Sequence, residues 1–256
     1  WSLKHIHRLI LTSSVYRQAS ATRNDLTESD PDNRWLARQH RARVEAEIVR
    51  DIALYASALL SHRVGGPSVK PPQPIEYASL TYANNAQWST SLGDDKYRRG
   101  LYTFFQRTSP YPMLMTFDSP DSTQCVSQRS RSNTPLQALT LWNDRVFTEC
   151  AQRLALRVLT TVAAESDSGE STEALRRTRI HYLFLTCLSR YPTDTEYQSV
   201  VKYLESQLAQ LSENQENANS IIGEQPFPKI VARSTAAAWV ALGRVILNLD
   251  EFITKE

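Results

Sequence analysis

Glycine is the residue this chain uses least freely, and its scarcity limits the possible folds more than any motif does. Seven glycines stand in 256 residues, where average usage would place glycine at about 7% of positions. Phosphate-cradling loops and strained catalytic turns need glycine, because the backbone must take a positive φ or approach a ligand closely. The chain has no G-x-G-x-x-G, G-x-x-x-x-G-K-[ST] or G-x-S-x-G. Dinucleotide, P-loop and nucleophile-elbow readings therefore lose their sequence support. The expected fold is mainly α, a multi-helix domain with a small β element or irregular loop region in the middle. At 29.1 kDa the chain is long enough for a sizeable core.

Charge narrows the partners. With 29 Lys and Arg against 27 Asp and Glu, the net charge is +2, which argues against a nucleic-acid footprint. No apolar run reaches the roughly 18 residues of a membrane span; the longest, Ala236 to Leu249, is broken by Arg244. Cys125, Cys150 and Cys187 form no C-x-x-C and no C-x-x-C-H, so no zinc ribbon or haem attachment is expected within the chain. One disulfide remains open, with its pairing unreadable. The chain opens on Trp1, with no Met or signal peptide before its amphipathic first segment, and reads as a fragment of a longer protein.

Helical spacing appears in Leu3, Ile6 and Leu9/Ile10. Asp32 or Asn33 is expected to cap a helix from about Arg34, with Val44, Ile48, Ile52, Tyr55 and Leu59 as its buried stripe through Leu60. Arg41 to Glu45 and Arg43 to Glu47 would be i,i+4 pairs on it. Gly65-Gly66-Pro67, Pro71-Pro72 and Pro74 forbid a helix through Ser61 to Asp95. Leu101 to Phe105 reads as a short strand, and Tyr111 to Phe117 as its partner or a helical turn. Asn133-Thr134-Pro135 is expected to start a helix running to about Leu159. Thr161 to Ser171 reads as a linker, followed by a helix burying Ile180, Leu183, Phe184, Cys187 and Leu188. Thr193-x-x-Glu196 is a capping box opening a helix with Tyr197, Val200, Val201, Leu204, Leu208 and Leu211 inward. Ser212 to Glu224 reads as a polar loop, and a last helix places Trp239, Leu242, Ile246 and Leu249 on one stripe. Residues 1–60, 61–132 and 133–256 thus form helical, irregular and helical parts of one domain.

Candidate sites follow from residue chemistry. Asp118, Asp121, Arg129, Arg131 and Asn133 make residues 117–133 the densest polar stretch, suited to lining a cleft for a sugar or an anion. The alternative is local: an Asx-type turn at Asp118 and a helix cap at Asn133. Tyr16-Arg17 and Tyr97-Arg98-Arg99 mix aromatics with cations, as carbohydrate surfaces do; packed rings with a solvated arginine rim would look the same. Glu47 and Asp51 lie four apart and could hold a cation, or be neutralised by Arg43 and Arg50. His5 and His7, two apart, would point about 200° from each other on a helix.

Several strings coincide in order and spacing: Ser14-Val15-Tyr16-Arg17-Gln18, Asp30 to Arg34, Arg43 to Asp51, Gly65-Gly66-Pro67-Ser68-Val69, Phe117 to Asp121, Arg129 to Leu139 and Trp239 to Phe252. In these the chain resembles the planctomycete-specific domain of unknown function PSD-one, N-terminally truncated. The resemblance implies the C-terminal domain of a large exported, periplasmic or envelope protein with a cytochrome c-like domain, any haem being held there. It implies an accessory module packing against other domains of the same polypeptide or binding polysaccharide. The alternative is part of a hydrolase or oxidoreductase acting on polysaccharide, with its cleft lined by residues 117–133. The family supplies no catalytic residues to carry over.

Overall fold

Helices dominate, as the shortage of glycine predicts. The computed structural model describes residues 2–26, 28–74, 88–162 and 172–255. They gather into two compact units, Trp1–Val44 with Ile253–Glu256 and Glu45–Phe252.

In the first unit, helix α1 (Leu3–Thr12) is capped by the Ser2 hydroxyl, which accepts the His5 N–H at 3.3 Å. The sequence from Ser13 to Glu45 is largely irregular, which corrects the expected helix from Arg34. The Asp30 carboxylate accepts the N–H groups of Arg34 at 2.7 Å and Trp35 at 2.8 Å. Asn33, at φ 53°, donates its amide to the Arg38 carbonyl at 2.7 Å and accepts the Arg38 N–H at 3.2 Å. The two polar side chains close a loop where the sequence suggested a helix cap, because they satisfy backbone groups an α-helix would have paired itself. Strand β1 (Ala42–Arg43) pairs antiparallel with β2 (Thr254–Lys255). This small sheet joins segments near the two chain ends; it is not in the middle, where sequence placed a β element.

The second unit begins with α2 (Ala46–Ala56), eleven residues long. Arg41 and Arg43 precede it, so the expected i,i+4 register does not apply to them. Its buried face carries Ala46, Val49, Arg50, Ala53 and Leu54, while Tyr55 is exposed; the apolar stripe read from sequence was one residue out of register. The middle of the chain is irregular but held. Trp88 stacks on Tyr111 at 5.8 Å and donates its indole N–H to the Pro71 carbonyl at 2.7 Å. The expected strand is instead a 3₁₀ turn, Gly100–Tyr102, flanked by isolated parallel bridges Ser61 to Arg98 and Val69 to Thr103. Tyr111 to Phe117 is a short helix, α3 (Pro112–Thr116).

The predicted helix from Pro135 is two, α4 (Pro135–Asn143) and α5 (Arg145–Thr161). Asp144 divides them by accepting the Val146 N–H at 2.8 Å. Thr134, not Asn133, caps α4 in a capping box with Gln137. Most of the expected linker lies outside the described residues. Helix α6 (Thr172–Leu188) buries Ile180, Leu183 and Phe184 as predicted but leaves Cys187 and Leu188 half-buried. Helix α7 (Asp194–Glu213) starts on the predicted Thr193/Glu196 capping box and buries Tyr197, Leu204 and Leu211, whereas Val200 and Val201 are half-buried and Leu208 is exposed. The expected polar loop holds α8 (Gln215–Ile222), whose Ala218 and Ile222 are buried. Helix α9 (Arg233–Leu247) packs on α5, α7 and α8 and forms the centre of the core. A Cβ on its Gly243 would lie 3.2 Å from the Ala151 carbonyl, so glycine sets the close approach of α9 to α5. All three cysteines are free thiols, and no described helix is long and apolar enough to cross a membrane.

Candidate functional site

Two buried arginines organise the irregular middle. Arg50 and Arg98 are each 1% exposed, and burying a guanidinium is costly unless its donors are met. Arg50 donates to the carbonyls of Arg98 at 2.5 Å and Lys96 at 2.6 Å. Arg98 donates to the carbonyls of Pro67, at 2.9 Å, and Gly65, and stacks 3.8 Å over the Tyr102 ring. Gly65 and Gly66, at φ 79° and 89°, turn those carbonyls inward. The pair of glycines is thus a cradle for a cation of the same chain.

Around this frame the sequence-predicted residues take separate places. Glu47 meets Arg129 at 2.7 Å, and Glu45 meets the same guanidinium at 3.1 Å. Asp51 accepts the Gly100 N–H at 2.6 Å and the Arg99 guanidinium at 3.0 Å. The neutralising cations come from distant segments, and no group of three metal-capable side chains occurs among the described residues. Asp118, at φ 64°, accepts the Ser132 N–H at 2.8 Å; Ser132 in turn accepts from Gln137 at 3.0 Å. Gln137 also reaches the Thr116 carbonyl at 3.0 Å, so residues 118, 132 and 137 tie the loop's two ends. Among the described residues Asp121 bonds its neighbour Thr123, accepting its N–H at 2.9 Å and its hydroxyl at 2.8 Å, which holds the Asp121 carboxyl below the usual range. Arg131 and Asn133 are exposed. In the first unit, Tyr16 lies under the Lys255 ammonium at 4.1 Å and Arg17 is exposed. His5 and His7 both lie on α1, where their spacing separates them.

The polar side chains that do converge lie elsewhere, in a cleft of about 500 Å³ between the 90–96 segment, α5 and the end of α8. The Lys96 carbonyl is pinned by Arg50, and its side chain turns to Glu149 at 3.2 Å. The neighbouring Tyr97 hydroxyl donates to the same carboxylate oxygen at 2.5 Å. Burial, then the bond to Glu149, pushes the Tyr97 phenol above its usual value. Burial opposes the Lys96 ammonium, yet its contacts with Tyr97 and Glu149 outweigh that and raise its pKa. Gln152 donates to the Ile221 carbonyl at 2.9 Å, and Arg145, Glu224 and Gln225 complete the walls.

The PSD1 family, described as a protein of unknown function (DUF1553), matches residues 1–204. The chain belongs to the PSD1 family. No curated protein and no solved structure matches it. In this PSD1 chain the match takes in Lys96, Tyr97, Arg145, Glu149 and Gln152, while Glu224 and Gln225 lie beyond it. Sequence reading flagged Tyr97 only as part of an aromatic and cationic mixture, and missed Lys96 and Glu149 altogether. They stand 53 residues apart, and no local spacing signals such a pair. The usable hint was the unbroken aromatic-basic string Lys96-Tyr97-Arg98-Arg99, whose first two members turn to Glu149, the third into the core and the fourth to Asp51.

Proposed function

We propose that this chain is a ligand-binding accessory module whose cleft takes a polyhydroxylated ligand, such as a segment of polysaccharide. The observation that carries the reading is the cleft's mixture of donors and acceptors, of which Lys96, Glu149 and Gln152 are held in place by hydrogen bonds. Lys96, Arg145 and Gln152 can donate, Glu149, Glu224 and Gln225 can accept, and Leu92 and Pro72 supply apolar surface. A sugar presents hydroxyls that do both, with apolar C–H faces between them, and the volume falls in the range of small-molecule sites, about 300–1,000 Å³. The test is titration calorimetry with cellohexaose, xylohexaose and chitohexaose against wild type, Glu149→Gln and Arg145→Ala. Binding of one oligosaccharide, weakened about tenfold or more by either substitution, supports the reading. Absence of binding to all three, or binding indifferent to both substitutions, refutes it.

A hydrolytic or redox role for residues 117–133 is less favoured, because Asp118, Asp121 and Arg129 are each engaged within the chain. A docking role has an observation of its own. On α1, Leu3 is 78% exposed and Ile6 and Ile10 are each 50% exposed. That apolar face suits packing against another domain of the same polypeptide. In the full-length protein, Ile6→Asp with Ile10→Asp should speed hydrogen exchange across α1; unchanged exchange would count against docking there. The resemblance to PSD-one further supports an exported planctomycete protein whose haem sits in a cytochrome c-like domain. Cell fractionation, with haem staining of the full-length protein, tests that context.

A further inference from the structure

Between α6, α7 and α9 runs a second opening, about 240 Å³ in volume, distinct from the polar cleft. Its walls are largely apolar: Leu175, Leu204, Leu208, Ala238 and Trp239. Two arginines join them, with different circumstances. Arg176 is paired with Glu173 and, at 2.8 Å, with Glu205. Arg179 is half-buried beside it and makes no hydrogen bond or ion pair with the described residues, and its Nε is shut away from solvent without an acceptor. Glu205, the acid of the groove, already serves Arg176. Both nearby acids, Glu173 and Glu205, thus sit on Arg176, and Arg179 is the guanidinium at this apolar groove that meets no carboxylate among the described residues. Partial desolvation pushes the Arg179 pKa down, a direction that an incoming anion would reverse.

We propose that this groove binds a small amphiphilic carboxylate, its apolar tail against Leu204, Leu208 and Trp239 and its carboxylate on Arg179. Charge complementarity selects the head group: a guanidinium fork with free donors takes a carboxylate, often with two parallel bonds. The wall chemistry selects the tail, since apolar surface removed from water drives binding here and polar ligands gain little. Size limits it further. At about 240 Å³ the groove is smaller than the roughly 300–1,000 Å³ of drug-sized sites, so a short chain fits and a bulky ring system does not.

The experiment titrates sodium octanoate and 1-octanol into the whole chain, reading heat and tryptophan emission. Octanoate should bind once per chain and at least about tenfold more tightly than octanol, as expected for a charge-assisted pair. Arg179→Gln should erase that preference, while Arg179→Lys keeps part of it. Thr235→Trp, which fills the groove, should remove both ligands. Should Arg179→Gln fail to fold, Leu208→Glu at the exposed rim should weaken octanoate selectively. Equal affinity for octanoate and octanol, octanoate binding unchanged by Arg179→Gln or by Leu208→Glu, or no octanoate binding at all would overturn the proposal. An acidic amphipathic peptide that binds where octanoate does not would assign the groove to a polypeptide and overturn it equally.

Discussion

Replacing Gly100 by alanine tests whether the irregular middle is locked onto α2 as tightly as its geometry implies. A Cβ at Gly100 would lie 2.7 Å from the Glu47 carbonyl oxygen and 2.8 Å from the Glu47 Cα. Both are backbone atoms inside a helix, so neither can swing aside. The Gly100–Tyr102 turn must move instead, and it carries the Gly100 N–H that donates to Asp51 at 2.6 Å. Overpacking of this kind costs about 1–3 kcal/mol, and loss of a hydrogen bond to a buried carboxylate about 1.5–3 kcal/mol. The expected sum is roughly 3–5 kcal/mol, a large share of the about 5–15 kcal/mol of a typical domain. Urea unfolding followed by circular dichroism should show a lower midpoint at an unchanged slope. In an Asp51→Ala background the hydrogen bond is already gone, so Gly100→Ala should cost less, with a coupling of about 1 kcal/mol or more. A cost below about 1 kcal/mol in wild type, against that overpacking term, or strict additivity with Asp51→Ala would refute the reasoning.

The remaining expectations concern thiols, a salt-bridge network and caps. Cys125 is exposed, whereas burial pushes the Cys150 and Cys187 thiols up to about 12. Ellman's reagent should therefore titrate Cys125 alone in the native protein and all three thiols after guanidinium unfolding; a second fast native thiol would contradict this. Arg190 binds Glu196 at 2.7 Å and Glu251 at 2.6 Å, and the Arg190 bond holds the Glu196 carboxyl at about 2 against its ordinary 4.5. A depressed acid stabilises above its unfolded value and loses that contribution as pH falls. The melting-temperature gap between wild type and Glu196→Gln should thus close between about pH 4.5 and pH 2, and a gap that stays constant would sink the assignment. Thr134→Ala and Thr193→Ala should each cost about 1 kcal/mol in urea unfolding, with Thr193→Ser nearly neutral; a silent Thr134→Ala would show its capping box to be ornamental.

How far local pattern reaches is clearest at α2. Its existence was legible, but its start and its buried face were not. Arg50 occupies a position that any apolar stripe would assign to solvent, and it is inside because the carbonyls of Lys96 and Arg98 wait for it. Helix α8 was read as a loop for a related reason. Gln215 to Ile222 carries only Ala218 and Ile222 as buried anchors, and α9 supplies the surface that makes them count. The polar stretch at residues 117–133 was visible as chemistry, yet the structure commits its acids and Arg129 to turns and ion pairs.

By itself the sequence determined what depends on neighbours a few residues away. It set the helical class, the Thr193/Glu196 capping box, part of the inward faces of α6 and α7, and the exclusion of glycine-built phosphate loops. These are short-range effects of backbone freedom, side-chain period and local hydrogen bonding. Tertiary structure alone decided which polar residues meet: Lys96 with Glu149, Asp51 with Gly100, Arg129 with Glu47. It also left the half-buried Arg179 without an acceptor among the described residues. A charge's energy depends on the carbonyls and carboxylates that packing brings within about 3 Å, and in this chain those partners come from segments far apart along it.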